Sequence, residues 1–120
     1  MKKIATTKIP SPGRKVRGST TGRPIMAALD LLGRRWTLRI LWELRGGPMV
    51  FRALQDACDG VAPSVLNTRL GELRELDLVE TTDEGYALTT QGRSLGELLL
   101  PLDAWARRWA AGRARTRDPE

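Results

Sequence analysis

The feature that most constrains the fold of this chain is a pair of short helical patterns joined by a four-residue break. In residues 51–58, and again in residues 63–77, apolar side chains recur at the spacing of one helix face. The break, residues 59–62, contains a glycine, and Pro63 suits the first turn of a helix. Two helices joined in this way have the spacing of a helix-turn-helix. Residues 78–89 follow with β-forming side chains around an Asp-Glu-Gly turn, which predicts a hairpin and therefore a winged unit.

Helical patterns also flank this unit. One covers residues 24–32, beginning at a proline and ending before a glycine, and a heavily apolar one covers residues 36–44. Residues 49–50 predict only a minimal strand. The last helix is predicted over residues 90–112, where Pro101 removes one helix hydrogen bond and should kink the helix or divide it in two. The predicted fold class is mainly α (α+β): a winged helix-turn-helix with a short β-hairpin wing and terminal helices.

The formal net charge of +6 belongs to the first part of the chain. Residues 1–23 hold seven basic side chains and no acidic one, whereas residues 24–120 hold 13 basic and 14 acidic side chains. The aliphatic residues of the first segment, Ile4, Ile9 and Val16, are too few to build a buried face. The sequence therefore predicts that this segment is disordered when free.

Three regions follow from this division. Residues 1–23 are a disordered basic arm, residues 24–112 are the folded domain, and residues 113–120 are a flexible tail. The arm contains a Gly-Arg-Pro sequence that resembles the core of an AT-hook, so one hypothesis is that it binds phosphates and enters a minor groove. The other is that it is a solubilising tail or a leftover leader.

The composition excludes several kinds of chemistry. With one cysteine and no histidine, the chain has no intrachain disulfide, no Cys/His zinc site and no imidazole base for a catalytic triad. Because the acidic residues are scattered and no phosphate-cradling loop occurs, we expect no enzyme, no metal and no cofactor. No apolar run approaches the roughly 18 residues of a membrane span, so we expect a cytoplasmic protein without a membrane partner.

The helix after Pro63 has a polar face that could read DNA. With its leucines inward, Ser64 and Thr68 point nearly opposite to them and Asn67 lies on one flank. Asn pairs bidentately with adenine, and Ser or Thr serves donors, acceptors and the thymine methyl group. Gly71 also faces outward, which would suit close approach to DNA or be a tolerated glycine in an ordinary solvated face.

Several arginines flank the helix-turn-helix and could bind phosphates. Arg74 could instead pair with Glu75 or a neighbouring acidic side chain. The predicted phosphate-binding set is Arg34, Arg35, Arg52, Arg69 and Arg74.

The chain resembles the HxlR-type winged-helix regulators of bacteria over about residues 24–109. The resemblance implies a homodimeric, DNA-binding transcriptional regulator, usually a repressor, in which the first and last helices form the dimer interface. The sequences that carry it are ALDLLGRRWTLRIL, VLNTRLGEL, the Gly47, Pro48, Phe51 and Leu54 element, and the stretch from Tyr86 to Gly92.

The last helix supports the dimer by its own pattern. An apolar stripe repeats along it at helical spacing and exceeds what a core of this size needs, although the stripe could instead cap its own core. A cavity between the dimer helices could bind a small apolar effector. The predicted interface is Ile25, Leu29, Leu98, Leu102, Trp105 and Trp109.

Three positions depart from the family pattern. Many members use a cysteine before the first helix to sense electrophiles or oxidants, but this chain has Arg23 there; Cys58 is expected to be a half-buried structural thiol. Ala62 replaces a frequent serine and cannot cap the recognition helix. The wing carries only acidic charges, a poor match to phosphate, so we expect the basic arm rather than the wing to make the peripheral DNA contact.

Two functions remain open from the sequence. The favoured one is a homodimeric, sequence-specific regulator that binds operator DNA with its recognition helix, residues 63–77, in the major groove. The alternative is a winged-helix module for protein interaction or dimerisation without specific DNA binding, which the acidic wing and near-neutral domain would suit.

Overall fold

The chain folds into six helices and one hairpin within residues 9–13 and 22–117, the part that the computed structural model describes. Every predicted helix is present, and no helix in these ranges is both long and apolar enough to cross a membrane. The elements are α1 (Pro24–Leu32), α2 (Thr37–Leu44), α3 (Phe51–Ala57), α4 (Pro63–Glu75), β1 (Val79–Thr82), β2 (Gly85–Leu88), α5 (Thr90–Glu97) and α6 (Leu99–Arg117).

The hairpin follows α4 directly and forms the wing. β1 and β2 pair antiparallel, with Val79 opposite Leu88. Met49 adds a single bridge to this sheet: its N–H donates to the carbonyl of Tyr86 at 2.9 Å, and its carbonyl accepts from the Tyr86 N–H at 2.8 Å. Gly85 makes this approach possible, because its φ is +121° and a Cβ there would lie 2.5 Å from the Met49 carbonyl carbon. The minimal strand predicted at residues 49–50 is therefore confirmed as one bridge.

A leucine-rich core fixes α4 beneath the other helices. α2 buries Ile40 and Leu41 completely, and α3 contributes the fully buried Leu54. α4 buries three leucines at most 2% exposed, and β1 and β2 close the core with Val79 and Leu88. Each such side chain stabilises the fold by about 1.5–3 kcal/mol relative to an exposed one, so the core holds the recognition helix in one orientation.

The terminal helix is divided in two. Pro101 predicted either a kink or a division, and the structure shows the division. The hydroxyl of Thr89 caps α5 by accepting from the N–H of Gly92 at 3.0 Å. α5 ends at Glu97, and Pro101 lies in the first turn of α6, where its missing N–H has no helical partner to lose.

The ends of the domain differ from the prediction. α6 continues to Arg117, so residues 113–117 are helical where a flexible tail was expected. Ile9 is only 6% exposed, and its neighbour Pro10 lines a groove with Leu31 of α1 and Leu95 of α5. The sequence predicts that Ile4, Ile9 and Val16 are too few to build a buried face, yet the side chain of Ile9 is itself buried. The rest of the arm, residues 1–8 and 14–21, lies outside the described residues, as do residues 118–120 of the tail.

Candidate nucleic-acid interface

The face of α4 opposite its buried leucines is exposed and polar. Ser64, Asn67 and Thr68 are all exposed to solvent. The Thr68 hydroxyl donates to the Ser64 carbonyl at 2.9 Å, which leaves its oxygen lone pairs and its methyl group available outward. The fold thus brings the three predicted base-reading side chains together on one solvent-facing surface, at the end of α4 that follows the turn.

The start of α4 has no side-chain cap. Ala62 is the N-cap residue and makes no capping hydrogen bond, as its side chain predicts, and Pro63 occupies the first helical position. A serine at the N-cap would stabilise the helix by about 1 kcal/mol. Packing of the α4 leucines, rather than capping, therefore holds this end of the helix.

Gly71 lies in the middle of α4 beside the wing. A Cβ at this position would meet nothing within 4 Å, so packing within the chain does not require a glycine. The residue borders an open cleft between α4 and β1, together with Arg74 and Thr81. The main chain at Gly71 is therefore open to this cleft, next to the exposed face of α4.

Three of the five predicted phosphate-binding arginines are exposed. The Arg52 side chain is 82% exposed and lies 3.6 Å from the exposed Asp56 carboxylate, a loose pair. Arg35 is exposed with its guanidinium 5.7 Å from the centre of the Trp36 ring, and Arg74 is exposed in the last turn of α4. These three side chains remain candidates for phosphate contacts.

The other two predicted phosphate ligands bind within the protein, which corrects their assignment. Arg34 donates to the Glu72 carboxylate at 2.9 Å and is only 14% exposed. Arg69, 20% exposed, donates through Nε to the Arg35 carbonyl at 2.8 Å and contacts Glu72 at 3.3 Å. Because these guanidinium groups already have partners inside the domain, neither is free to reach DNA phosphates.

Sequence reasoning missed the cluster that these two arginines form. Two local pairs could have indicated it: Asp30 and Arg34 are four residues apart at the end of α1, and Arg69 and Glu72 are three apart on α4. Helical pairs at these spacings face each other. Only the fold shows that the two pairs meet.

The wing presents acidic side chains to solvent. Glu80, Asp83 and Glu84 are all exposed on the hairpin. The turn is held by the Thr82 hydroxyl, which donates to the Gly85 carbonyl at 2.8 Å and accepts from the Glu84 N–H at 3.1 Å. These carboxylates give the tip of the wing a negative charge, which is unfavourable to a nearby phosphate.

Cys58 ends α3 and is fully buried, where the sequence predicted half burial. Burial raises the pKa of the thiol by desolvation, and the nearby charge of Arg39 opposes this only in part. Since the thiolate is the reactive form, a thiol that is both buried and less acidic is a poor sensor. The structural role predicted for Cys58 agrees with this environment.

Native Cys58 is therefore expected to react with Ellman's reagent many times more slowly than the same thiol in denaturant at mildly alkaline pH. The raised pKa leaves less thiolate in the folded chain, and burial blocks the reagent. A Ser64→Cys variant, which adds an exposed thiol on α4, provides a fast-reacting control in the native state. Equal rates for native and denatured wild-type protein would contradict this account.

The six predicted dimer residues are exposed apolar side chains on α1, at the end of α5 and on α6. The alternative that the stripe on α6 caps its own core is wrong, because Leu98 is 67% exposed and Trp109 is 56% exposed. Trp105 and Trp109 stack on each other with ring centroids 5.3 Å apart. A groove of about 330 Å³ lies next to the stripe, between α2 and α6, and is lined by Leu38, Trp42, Leu99 and Leu102. We call the six residues Ile25, Leu29, Leu98, Leu102, Trp105 and Trp109 the apolar patch.

The geometry defines a winged helix-turn-helix protein with an exposed recognition helix. A family model for the HxlR-like helix-turn-helix matches residues 31–114, and the chain belongs to this family. The protein is therefore a transcriptional regulator, and the family is one of regulators rather than enzymes.

Similar proteins come from both bacteria and archaea. The chain is 30% identical to the HTH-type transcriptional regulator YvaP of Bacillus subtilis over 68% of this chain and 82% of YvaP. It is 28% identical to an HTH-type regulator of Methanocaldococcus jannaschii over 70% and 83% of the two chains. The crystal structure of quinone-bound YodB from B. subtilis superimposes with a TM-score of 0.65 at 31% identity, covering 70% of this chain and 96% of YodB. The expectation of a bacterial family is thus too narrow.

Proposed function

We propose that this regulator is a homodimeric, sequence-specific DNA-binding protein that acts as a repressor in the cytoplasm. The observation that carries the proposal is the exposed polar face of α4, where Ser64, Asn67 and Thr68 lie opposite a fully buried leucine face. A helix presented in this way fits the major groove, where each base pair offers a distinct pattern of donors and acceptors.

Each polar side chain on this face has a defined task. Asn67 pairs through its amide with the N6 and N7 atoms of adenine, while Ser64 donates to or accepts from a base edge. Thr68 accepts through its oxygen or contacts a thymine methyl group, since its proton is engaged by the helix carbonyl. The exposed Arg35, Arg52 and Arg74 hold phosphates on either side and set the register of α4 on the duplex.

The apolar patch is the proposed dimer interface, with a second copy of this chain as its occupant. Its members are between 50% and 67% exposed and include two stacked tryptophans, an arrangement that water solvates poorly. A dimer places two recognition helices roughly 34 Å apart, so that two half-sites one turn apart are read together. Such binding at a promoter would exclude other proteins from the same DNA, which accounts for repression.

A small apolar effector would fit the groove between α2 and α6. This groove borders Leu102 of the apolar patch, so a ligand there would act on the proposed interface directly. YodB has been crystallised with a quinone, which makes a small-molecule response reasonable for this chain too. With Arg23 before α1 and Cys58 buried, that response would be non-covalent.

The basic arm is proposed to make the peripheral DNA contact in place of the acidic wing. Neutralising Arg14, Lys15 and Arg17 with glutamine should weaken DNA binding and flatten its salt dependence. Removal of one phosphate contact reduces the slope of log affinity against log salt by roughly 0.9. This variant keeps Ile9, whose side chain is buried.

The matched control for the arm neutralises three exposed arginines of α6, namely Arg108, Arg113 and Arg115. It removes the same charge from a helix that we place at the dimer interface and away from DNA. The salt slope of this control should equal that of the wild type. If the salt slope of the arm variant equals that of the wild type, the proposed phosphate contact by the arm is wrong.

The alternative function is an interaction module without specific DNA binding, favoured by the exposed acids of the wing. Selection of genomic fragments by the purified protein at about 0.15 M salt separates the two, because non-specific phosphate binding is weak there. A regulator retains a small set of fragments that share a sequence and resist competitor DNA. Retention of no fragment, or of a random set, would favour the interaction module.

A further inference from the structure

Four charged side chains of alternating sign join the end of α1 to the middle of α4. Asp30 lies 3.6 Å from Arg34, which in turn donates to Glu72 at 2.9 Å, and Arg69 contacts the other oxygen of Glu72 at 3.3 Å. Their side chains are between 10% and 20% exposed. Ion pairs shielded to this degree are screened little by salt and depend strongly on their geometry.

A backbone contact anchors the same cluster. The Nε atom of Arg69 donates to the carbonyl of Arg35 at 2.8 Å, in the turn between α1 and α2. The recognition helix is thus bound to that turn through two side chains, Glu72 and Arg69, in addition to the packing of its leucines. α1 also carries Ile25 and Leu29 of the apolar patch, so the cluster lies between the proposed dimer face and the proposed DNA-reading face.

We propose that Glu72 is a positioning residue that fixes α4 relative to α1, and thereby sets the half-site spacing that a dimer reads. The effect on half-site spacing rests on the proposed function, whereas the fixed position of α4 relative to α1 does not. Glu72 contacts both arginines of this cluster. In a Glu72→Gln variant, Arg34 and Arg69 would face each other across a neutral amide. The two arginines would then repel each other and their hydrogen bonds to residue 72 would weaken, which allows α4 to shift.

The first experiment measures this rigidity without DNA. Spin labels at Ser64→Cys on α4 and Arg23→Cys at the N-cap of α1, both exposed positions, report the distance between the two helices. Dilution with unlabelled protein restricts the signal to pairs within one chain. Glu72→Gln should broaden or shift the distance distribution, whereas Glu75→Gln, an exposed acid one turn further along α4, should leave it as in the wild type. An unchanged distribution in Glu72→Gln overturns the proposal, whether or not the protein binds DNA.

The second experiment uses unlabelled protein and operators in which the distance between half-sites varies by single base pairs. The wild type should favour one spacing, and Glu72→Gln should lose roughly fivefold or more in affinity at that spacing while losing little at its neighbours. An equal loss at every spacing would indicate only a general structural role and would overturn the spacing function. If no operator is bound by the wild type, the proposed function fails while the distance measurement still decides the role of Glu72.

A second variant keeps the test decisive if Glu72→Gln does not fold. Arg69→Lys retains the positive charge near Glu72 but removes the Nε hydrogen bond to the Arg35 carbonyl. It should produce a smaller change in the same direction in both measurements. Wild-type behaviour of a folded Arg69→Lys protein in both measurements would overturn the proposal.

Discussion

A Trp105→Ala substitution is expected to convert the regulator from a dimer to a monomer at micromolar concentration. Trp105 is half exposed in the single chain and stacks on Trp109, so a partner chain would bury a large aromatic surface there. Truncating a tryptophan at the centre of an interface costs about 2 kcal/mol or more, which is roughly a thirtyfold loss in association. Light scattering or sedimentation over a concentration series measures the change directly.

The matched control for this substitution is Leu100→Ala. Leu100 is a similarly exposed apolar residue, 49% exposed, on the same helix but outside the apolar patch. It should leave the dimer intact. The unfolding curve of Leu100→Ala should stay close to that of the wild type, whereas Trp105→Ala should lose the stability that dimerisation adds. A wild-type protein that is monomeric at every concentration would already refute the proposed interface.

The monomeric Trp105→Ala variant should also bind DNA far less tightly. In a dimer, binding of one subunit holds the second at a high local concentration near its half-site. A monomer lacks this effect and binds each half-site independently and weakly. If this variant is monomeric yet binds its operator as tightly as the wild type, the apolar patch has no part in DNA recognition.

The second large effect is expected from Asn67→Ala. Asn67 is exposed on α4, so its removal leaves the core intact, and alanine is the better helix former. Loss of a bidentate contact to adenine should weaken binding to the specific operator by about 1–3 kcal/mol per half-site, roughly five- to 150-fold. Binding to unrelated DNA and the dependence on salt should not change. Fluorescence anisotropy with specific and unrelated duplexes measures both quantities.

Arg52→Gln is the control that separates base reading from phosphate binding. Its side chain is 82% exposed on α3 and lies in the half of the motif that faces the DNA backbone in a helix-turn-helix. This variant should weaken binding to all sequences alike and lower the salt slope by roughly 0.9. If Asn67→Ala lowers specific and unrelated binding equally, Asn67 does not read a base.

Much of the fold could be predicted from the sequence because the signals are local. Apolar spacing marks all the helices, and the hairpin follows from its turn residues. The effect of Pro101 was predictable only as a kink or a division, because the choice depends on how the two halves pack. The burial of Ile9 could not be predicted for a similar reason, since it depends on tertiary contacts that exist only after folding.

In the candidate site, too, features that depend on local sequence could be predicted and features that depend on tertiary contacts could not. The exposure of Ser64, Asn67 and Thr68 followed from helical geometry alone. The roles of Arg34 and Arg69 did not, because Glu72, which binds both, lies 38 residues from Arg34 along the chain. An arginine beside a helix-turn-helix is equally suited to phosphate or to a carboxylate, and only the tertiary contact with Glu72 decides between them.

The central claim is that α4 reads DNA as one of a pair. Hydroxyl-radical footprinting of the selected fragment at about 0.15 M salt tests it most directly, since only specific binding protects DNA at that ionic strength. The account predicts two protected half-sites, related by two-fold symmetry and centred roughly 34 Å apart. Uniform protection, no protection, or a single protected site would contradict it.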